Sequence, residues 1–272
     1  MGSHSGVVEF LAEGRLAEVF ALDERRVLKL DRPEWSGVSD FEFDVLTRLA
    51  AAGLPVARAH EVVTVDGRRG VVLDRVQGTS LTSQLVECRG NAAALTELAA
   101  RFSQLQATIN ATTVEGLPDL VTRMRSEIAM SDLGDTHISG LIELLSTLDD
   151  GQRRVCHFDF HPENVLIPEN ALVGPAGSPV GWVAIDWLTV ANGPPLADVA
   201  RTLVLCAQPG RTSSLDFVKS VHRHALRERG FDAGACDSWV RVVAGARLAE
   251  GFDGAYAEWL RGLSTGARRI VE

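Results

Sequence analysis

The segment from Val155 to Ile167 reads Val-Cys-His-Phe-Asp-Phe-His-Pro-Glu-Asn-Val-Leu-Ile, with Asp159 and Asn164 in a short loop between two apolar runs. A second carboxylate, Asp186, closes the next apolar run, Val183-Ala184-Ile185. Two carboxylates and an amide at neighbouring strand ends suit phosphoryl transfer. One carboxylate receives the proton of an attacking hydroxyl, while the amide and the other carboxylate hold a divalent ion against the phosphates. Such a reaction asks little covalent chemistry of the protein and much positioning, so a cation for the phosphates is needed as well. Lys29, in Arg26-Val-Leu-Lys-Leu30, is the candidate, because a strand with apolar neighbours can carry an ammonium into a cleft. Glu42, on the next expected helix, would fix that lysine by an ion pair. Asp44 is the alternative; Glu42 is preferred because it stands four residues before Leu46, on the packing face.

Glu13-Gly14-Arg15 occupies the place of a flap over the phosphates, with Gly14 as its single glycine. Val71 to Gly78 reads as a strand running into a connection, where backbone groups of Asp74 and Val76 would meet the edge of a purine.

The elements that must position these residues fall into two textures. Val7–Leu11, Ala17–Leu22, Arg26–Leu30, Ala59–Val65 and Gly70–Leu73 are short β-favouring runs separated by turn residues, Asp66-Gly67 among them. One helix interrupts them, with Ser39-Asp40 as its cap, Phe41, Val45, Leu46 and Leu49 as its apolar face and Gly53 as its stop. After Gln77-Gly78 the chain turns to long amphipathic stretches rich in Ala and Leu: 92–109, 120–129, 138–148, 196–206, 214–229, 238–248 and 256–263. A nucleotide-binding lobe over 1–77 and a catalytic and substrate-binding lobe over 78–272 are therefore expected. Val173–Pro179 reads as a loop between strands.

The chain has 272 residues, 46% hydrophobic and 23% charged, which is enough for a full core in two lobes. No apolar run approaches the roughly 18 residues of a membrane span, and no signal peptide is evident. Cys88, Cys156, Cys206 and Cys236 form no C-x-x-C pair, as expected of a reducing, cytoplasmic setting. A net charge of −9 argues against a nucleic-acid surface and would favour a cationic partner. A monomer is expected.

Taken together, Lys29, Glu42, the Leu73–Gly78 connection, His157-Phe158-Asp159 through Asn164, Ile185-Asp186-Trp187 and Asp198 resemble the aminoglycoside phosphotransferase and choline-kinase-like family, relatives of protein kinases. The likeness runs from about residue 7 to about residue 205 and is weakest beyond. It implies a two-lobed α+β protein-kinase-like fold, with a small antiparallel sheet and one helix above a larger, mainly helical lobe. It also implies Asp159 as the base, Asn164 and Asp186 as Mg²⁺ ligands, and Lys29 on the phosphates of ATP or GTP. His157 and Asp198 would brace the loop.

Departures from the pattern narrow the acceptor. Phe158 stands where regulated protein kinases carry an Arg, and neither Phe-Gly after Asp186 nor a later Ala-Pro-Glu is present, so a small molecule is expected rather than a protein. Glu250, Asp253 and Glu258 beside Tyr256 and Trp259 would suit a polycation, which makes an aminoglycoside-type antibiotic the leading acceptor. A sugar, a macrolide, a peptide antibiotic or a choline-like alcohol are alternatives. Aromatic content of 6% weakens the last, which needs a cage. Two rivals use the same residues. A non-haem iron triad would join His157 and Asp159 to His161, His222 or His224. A silent nucleotide-binding pseudokinase would have lost at least one of Lys29, Asp159, Asn164 and Asp186, and all four are present.

Overall fold

The computed structural model describes residues 9–35, 37–169, 171, 181–211 and 213–271. Its first part is a five-stranded antiparallel sheet of β1 (Glu9–Glu13), β2 (Ala17–Ala21), β3 (Arg26–Asp31), β4 (Ala59–Val65) and β5 (Arg68–Asp74), in the order β1-β2-β3-β5-β4. Side chains alternate across a strand, and this alternation places the lysine. Leu28 and Leu30 of β3 bury themselves with Val72 of β5 on one face. Lys29, between them, is thereby turned to the opposite face, which α1 (Val38–Ala51) covers.

The buried stripe of α1 is Glu42, Val45, Leu46 and Leu49, a helical i, i+3, i+4, i+7 set. Phe41 was expected on that face. It lies one residue out of phase and is 38% exposed. The cap also differs from expectation. The helix starts at Val38 behind Gly37, with no side-chain cap. The Ser39 hydroxyl instead donates to Asp31 Oδ1 at 2.5 Å, and its N–H to Oδ2 at 3.2 Å, which ties the start of α1 to the end of β3. Strand and helix are thus fixed to each other close to the ion pair they carry.

β6 (Gly78–Ser80) leads into the second lobe through α2 (Leu81–Glu87), neither of which the sequence pattern had announced because both are short. α3 (Ala92–Asn110), α4 (Leu120–Met130) and α5 (Asp135–Leu148) follow. Then come β7 (Arg154–Cys156), β8 (Val165–Pro168), β9 (Val183–Ala184) and β10 (Ala191–Gly193), and α6 (Pro195–Cys206), α7 (Leu215–Arg227), α8 (Ala233–Arg247) and α9 (Gly254–Thr265). The expected loop at 173–179 lies outside the described residues. α8 begins five residues ahead of the expected Ser238, because Asp232 caps it by accepting from the Ala235 N–H at 2.7 Å. The whole is a two-lobed, protein-kinase-like α+β fold. α6 is buried on every side, so its few polar residues must all find partners inside the protein.

Small sheets hold the site segments in place. β6 pairs with β8 and β8 with β9, while β7 pairs with β10. Gly78, the first residue of β6, lies so close to β8 that a Cβ there would stand 2.1 Å from the Ile167 carbonyl oxygen. No flexible side chain is available to yield, so Gly78→Ala must push β6 off β8. The expected outcome is a clear fall in thermal midpoint. A variant as stable as the parent would contradict the close packing.

Candidate active site

Lys29 Nζ stands 2.8 Å from Glu42 Oε1 and 3.1 Å from Asp186 Oδ1. The first sheet, its helix and the chain after β9 therefore meet at one ammonium. Burial favours the neutral amine, but the Glu42 and Asp186 carboxylates outweigh it and hold Lys29 above its ordinary range. Burial also pushes the Glu42 carboxyl up against the pull of Lys29. The ionised pair is the form that accounts for a lysine touching two carboxylates at once. Asp44, the alternative partner, bonds to Arg48 at 2.9 Å.

The loop between β7 and β8 is held from behind. His157 Nε2 donates to the Ile185 carbonyl at 3.0 Å, and its Nδ1 accepts the Asp159 N–H at 3.3 Å. Those two bonds require a neutral imidazole protonated on Nε2, and complete burial holds its pKa down. Phe158 has φ 63°, a costly conformation for a bulky residue. Both of its backbone groups are clamped: the N–H donates to Asp198 Oδ1 at 2.7 Å, and the carbonyl accepts from Arg201 Nε at 3.1 Å. Asp198 Oδ2 accepts from Gln106 Nε2 at 3.0 Å and Asn110 Nδ2 at 2.9 Å, so the buried carboxylate is fully satisfied. Asp198 and Arg201, both on buried α6, thus force the strained turn that presents Asp159.

Asn164 Nδ2 donates to the Asp159 carbonyl at 2.9 Å and to Asp159 Oδ2 at 3.1 Å. His161, buried, brings its Nε2 to 3.6 Å from the same oxygen. Arg211 Nη1 lies 3.2 Å from His161 Nδ1 and 3.2 Å from Glu163 Oε2. A guanidinium can only donate, so Nδ1 accepts and the ring proton sits on Nε2, facing Asp159. Burial raises the Asp159 pKa, but His161 and Arg201 outweigh it and hold the carboxyl well below the usual carboxylate range. Asp159 is thereby favoured as the carboxylate, aimed by its neighbours. His161 and Arg211 belong to the site although sequence spacing assigned neither to this role. The alternating His-x-Asp-x-His was the visible signal for the first, and nothing local marked the second.

Asp186 also lies at positive φ, 63°, and its side chain is 43% exposed. Val165 pairs with Ala184, and the Ile185 N–H donates to the Asn164 carbonyl at 3.0 Å, so residues 164 and 186 leave adjacent strand ends. With both amide hydrogens of Asn164 bound to Asp159, its Oδ1 is left as an acceptor. Asp186 keeps Oδ2 clear of Lys29. Oxygen donors of this kind fit a hard ion such as Mg²⁺. The iron triad finds no support: His222 and His224 lie on α7, and no three His, Cys, Asp or Glu converge as a metal set among the described residues.

In the segment expected to meet a purine, the Asp74 N–H is spent on the Arg58 carbonyl at 2.9 Å, so only its carbonyl could serve a base edge. The Val76 N–H has no hydrogen-bond partner among the described residues. Gly14 sits in the turn between β1 and β2, where its N–H bonds to Ala17 O at 2.8 Å and an added Cβ would meet only that oxygen, at 3.7 Å. A cavity of about 390 Å³ lies elsewhere, among α6, α7, α8, α9 and the last described residues. It contains none of the converging polar groups, which mark the site better than volume does.

A sequence model of the phosphotransferase enzyme family, APH, matches residues 7–231. The chain belongs to this family. It is an O-phosphotransferase. No curated protein matches it significantly in sequence. Among solved structures, it is similar to the aminoglycoside phosphotransferase APH(2")-IIia in complex with GDP and kanamycin, at TM-score 0.64 and 19% identity, covering 96% of this chain and 94% of that one. It is also similar to APH(3'')-Id from Streptomyces rimosus in complex with ADP and streptomycin, at 0.58 and 16%, covering 88% and 92%. A third likeness is to the macrolide 2'-phosphotransferase MphH from Brachybacterium faecium, at 0.55 and 18%, covering 95% and 92%. These likenesses are of fold.

The residues expected to line the acceptor side are engaged differently from the sequence-based expectation. Glu250 is not an open carboxylate: Arg201 Nη2 donates to its Oε1 at 2.9 Å, and Arg247 Nη1 stands 3.4 Å from the same atom. The aromatics are engaged as well. Arg247 lies 5.0 Å from the Phe252 ring centre and 5.8 Å from that of Tyr256, and its Nε donates to the Tyr256 hydroxyl at 2.9 Å. Trp259 stacks on Tyr256 at 5.7 Å. Asp253 and Glu258 are exposed near the start of α9. The protein's own arginines thus occupy Glu250 and Tyr256, whereas Asp253 and Glu258 stay open to solvent.

Proposed function

We propose that this phosphotransferase moves the γ-phosphoryl group of ATP or GTP, carried with Mg²⁺, to a hydroxyl of a small organic acceptor. One observation carries the reading: a single ammonium bonded to both Glu42 and Asp186, beside an Asp159–Asn164 pair on the adjoining loop. Lys29 grips phosphate oxygens from a rotamer locked by Glu42. Asn164 and Asp186 are the metal ligands, and the ion, when bound, neutralises charge on the phosphates. Asp159, ionised and aimed by Asn164 and His161, orients the acceptor hydroxyl and receives its proton. His157 and Asp198 brace the loop that keeps that carboxylate in position.

Residues 1–77 form the nucleotide lobe, with the Asp74 carbonyl and the Val76 N–H on the purine edge and the Gly14 turn above the phosphates. Residues 78–272 supply catalysis and the acceptor wall. GDP and ADP in the neighbours support a purine nucleotide, and the antibiotics named with them support an antibiotic alcohol as first candidate. Presence of all four of Lys29, Asp159, Asn164 and Asp186 in one place favours an enzyme over a silent pseudokinase.

The test is a panel of aminoglycosides, macrolides, sugars, hydroxy acids and choline with Mg-ATP or Mg-GTP, read by product mass. A gain of about 80 daltons, one phosphoryl unit, is expected on a single class. If no alcohol of any class gains that mass, the reading fails.

A further inference from the structure

Next to the loop that presents Asp159, three guanidiniums face two carboxylates. Arg123 and Glu127 come from α4, Arg201 from α6, Arg247 from the end of α8, and Glu250 from the turn that follows. Arg123 and Arg201 both lie against the Phe158 ring, at 4.9 Å and 5.1 Å from its centre. Glu250 is shared between Arg201 and Arg247. Asp159 and Asp198 are committed to the loop. The cluster therefore carries one surplus positive charge, and within it Arg123 is the guanidinium with unused donors.

Arg123 Nη1 donates to the Thr189 carbonyl at 2.7 Å. Its Nε and Nη2 have no hydrogen-bond partner among the described residues, and both are shielded from solvent. Those two nitrogens form the side-on edge of a guanidinium, the fork that binds a carboxylate or phosphate with two parallel bonds. The nearest anion is Glu127, whose Oε1 stands 3.6 Å from Nε, beyond hydrogen-bond range. Buried cationic donors without acceptors are costly, and a bidentate anion that moves Glu127 aside would satisfy both. A polycation entering here would meet the surplus charge instead.

We propose that the acceptor carries a carboxylate or phosphate group that docks on the Nε–Nη2 edge of Arg123, making this arginine a specificity-determining residue. This rests on the phosphoryl-transfer reading for its meaning, though the anion site itself can be tested apart from turnover. The experiment is an NMR titration of the arginine Nε–Hε signals of the intact protein with acetate and with inorganic phosphate, using chloride and kanamycin as controls. The Arg123 signal is expected to shift saturably with acetate or phosphate and not with chloride. Arg123→Gln should weaken that binding at least about tenfold, the loss of one charge-assisted pair, and Glu127→Gln should leave it intact or tighter. The wild-type titration holds even if the Arg123 variant folds poorly. An Arg123 signal unmoved by either anion, or kanamycin binding more tightly than the anions, overturns the proposal. Saturable anion binding with no acceptor of any class phosphorylated would leave the site standing and sink the phosphoryl-transfer reading.

Discussion

Asp159→Ala should lower phosphoryl transfer by about 10²–10⁴-fold, the usual contribution of a positioned general base, while leaving nucleotide affinity close to that of the parent. The asymmetry follows from where the carboxylate sits. Its partners are Asn164, His161 and the loop backbone, whereas Lys29 bonds to Glu42 and Asp186. With its carboxyl held below the usual range, Asp159 is expected to serve chiefly by orienting the hydroxyl. Asp159→Asn keeps the shape and removes the charge, and it should be nearly as inactive. Should either variant retain full turnover, or lose nucleotide binding without losing turnover at saturation, the role given to Asp159 is wrong.

Asp186→Ala should strike nucleotide binding itself. Outer-shell partners of a metal commonly cost about 10–100-fold when removed, and a direct ligand should cost no less. Titrating nucleotide with and without Mg²⁺ separates this from a packing defect. The parent should bind far more tightly with the ion, and the variant should lose most of that difference. The variant also leaves Lys29 with Glu42 alone, so some loss of metal-free affinity is expected as the ammonium loses one of its two anchors. An unchanged response to Mg²⁺ would remove Asp186 from the metal site.

The sequence made the centre of this site legible because its parts are local. Asp159 and Asn164 share one loop, and strand alternation around Lys29 and helical phasing around Glu42 each need only a few neighbours. The acceptor wall was not legible in the same way. Glu250 looked free because the arginine that binds it most closely, Arg201, lies on α6, far back in the chain. Arg247 was near in sequence, but nothing there showed that it would turn toward Glu250 and Tyr256. Arg211, which sets the tautomer of His161, had no local signature at all. The start of α1 was misread for a related reason: Ser39 has the chemistry of a cap and spends it on Asp31. Local patterns fixed period and charge, whereas long-range pairing decided which charges remain open.

A crystal soaked with Mn²⁺ and a non-hydrolysable ATP analogue would bear on all of this at once, since anomalous scattering locates the ion without interpretation of the surrounding density. The ion should lie within bonding distance of Asp186 and Asn164, with Lys29 Nζ on the phosphates and the Asp159 carboxylate turned toward the terminal phosphoryl group. A metal bound elsewhere, or triphosphate held away from Lys29, would contradict the arrangement on which the proposed reaction depends.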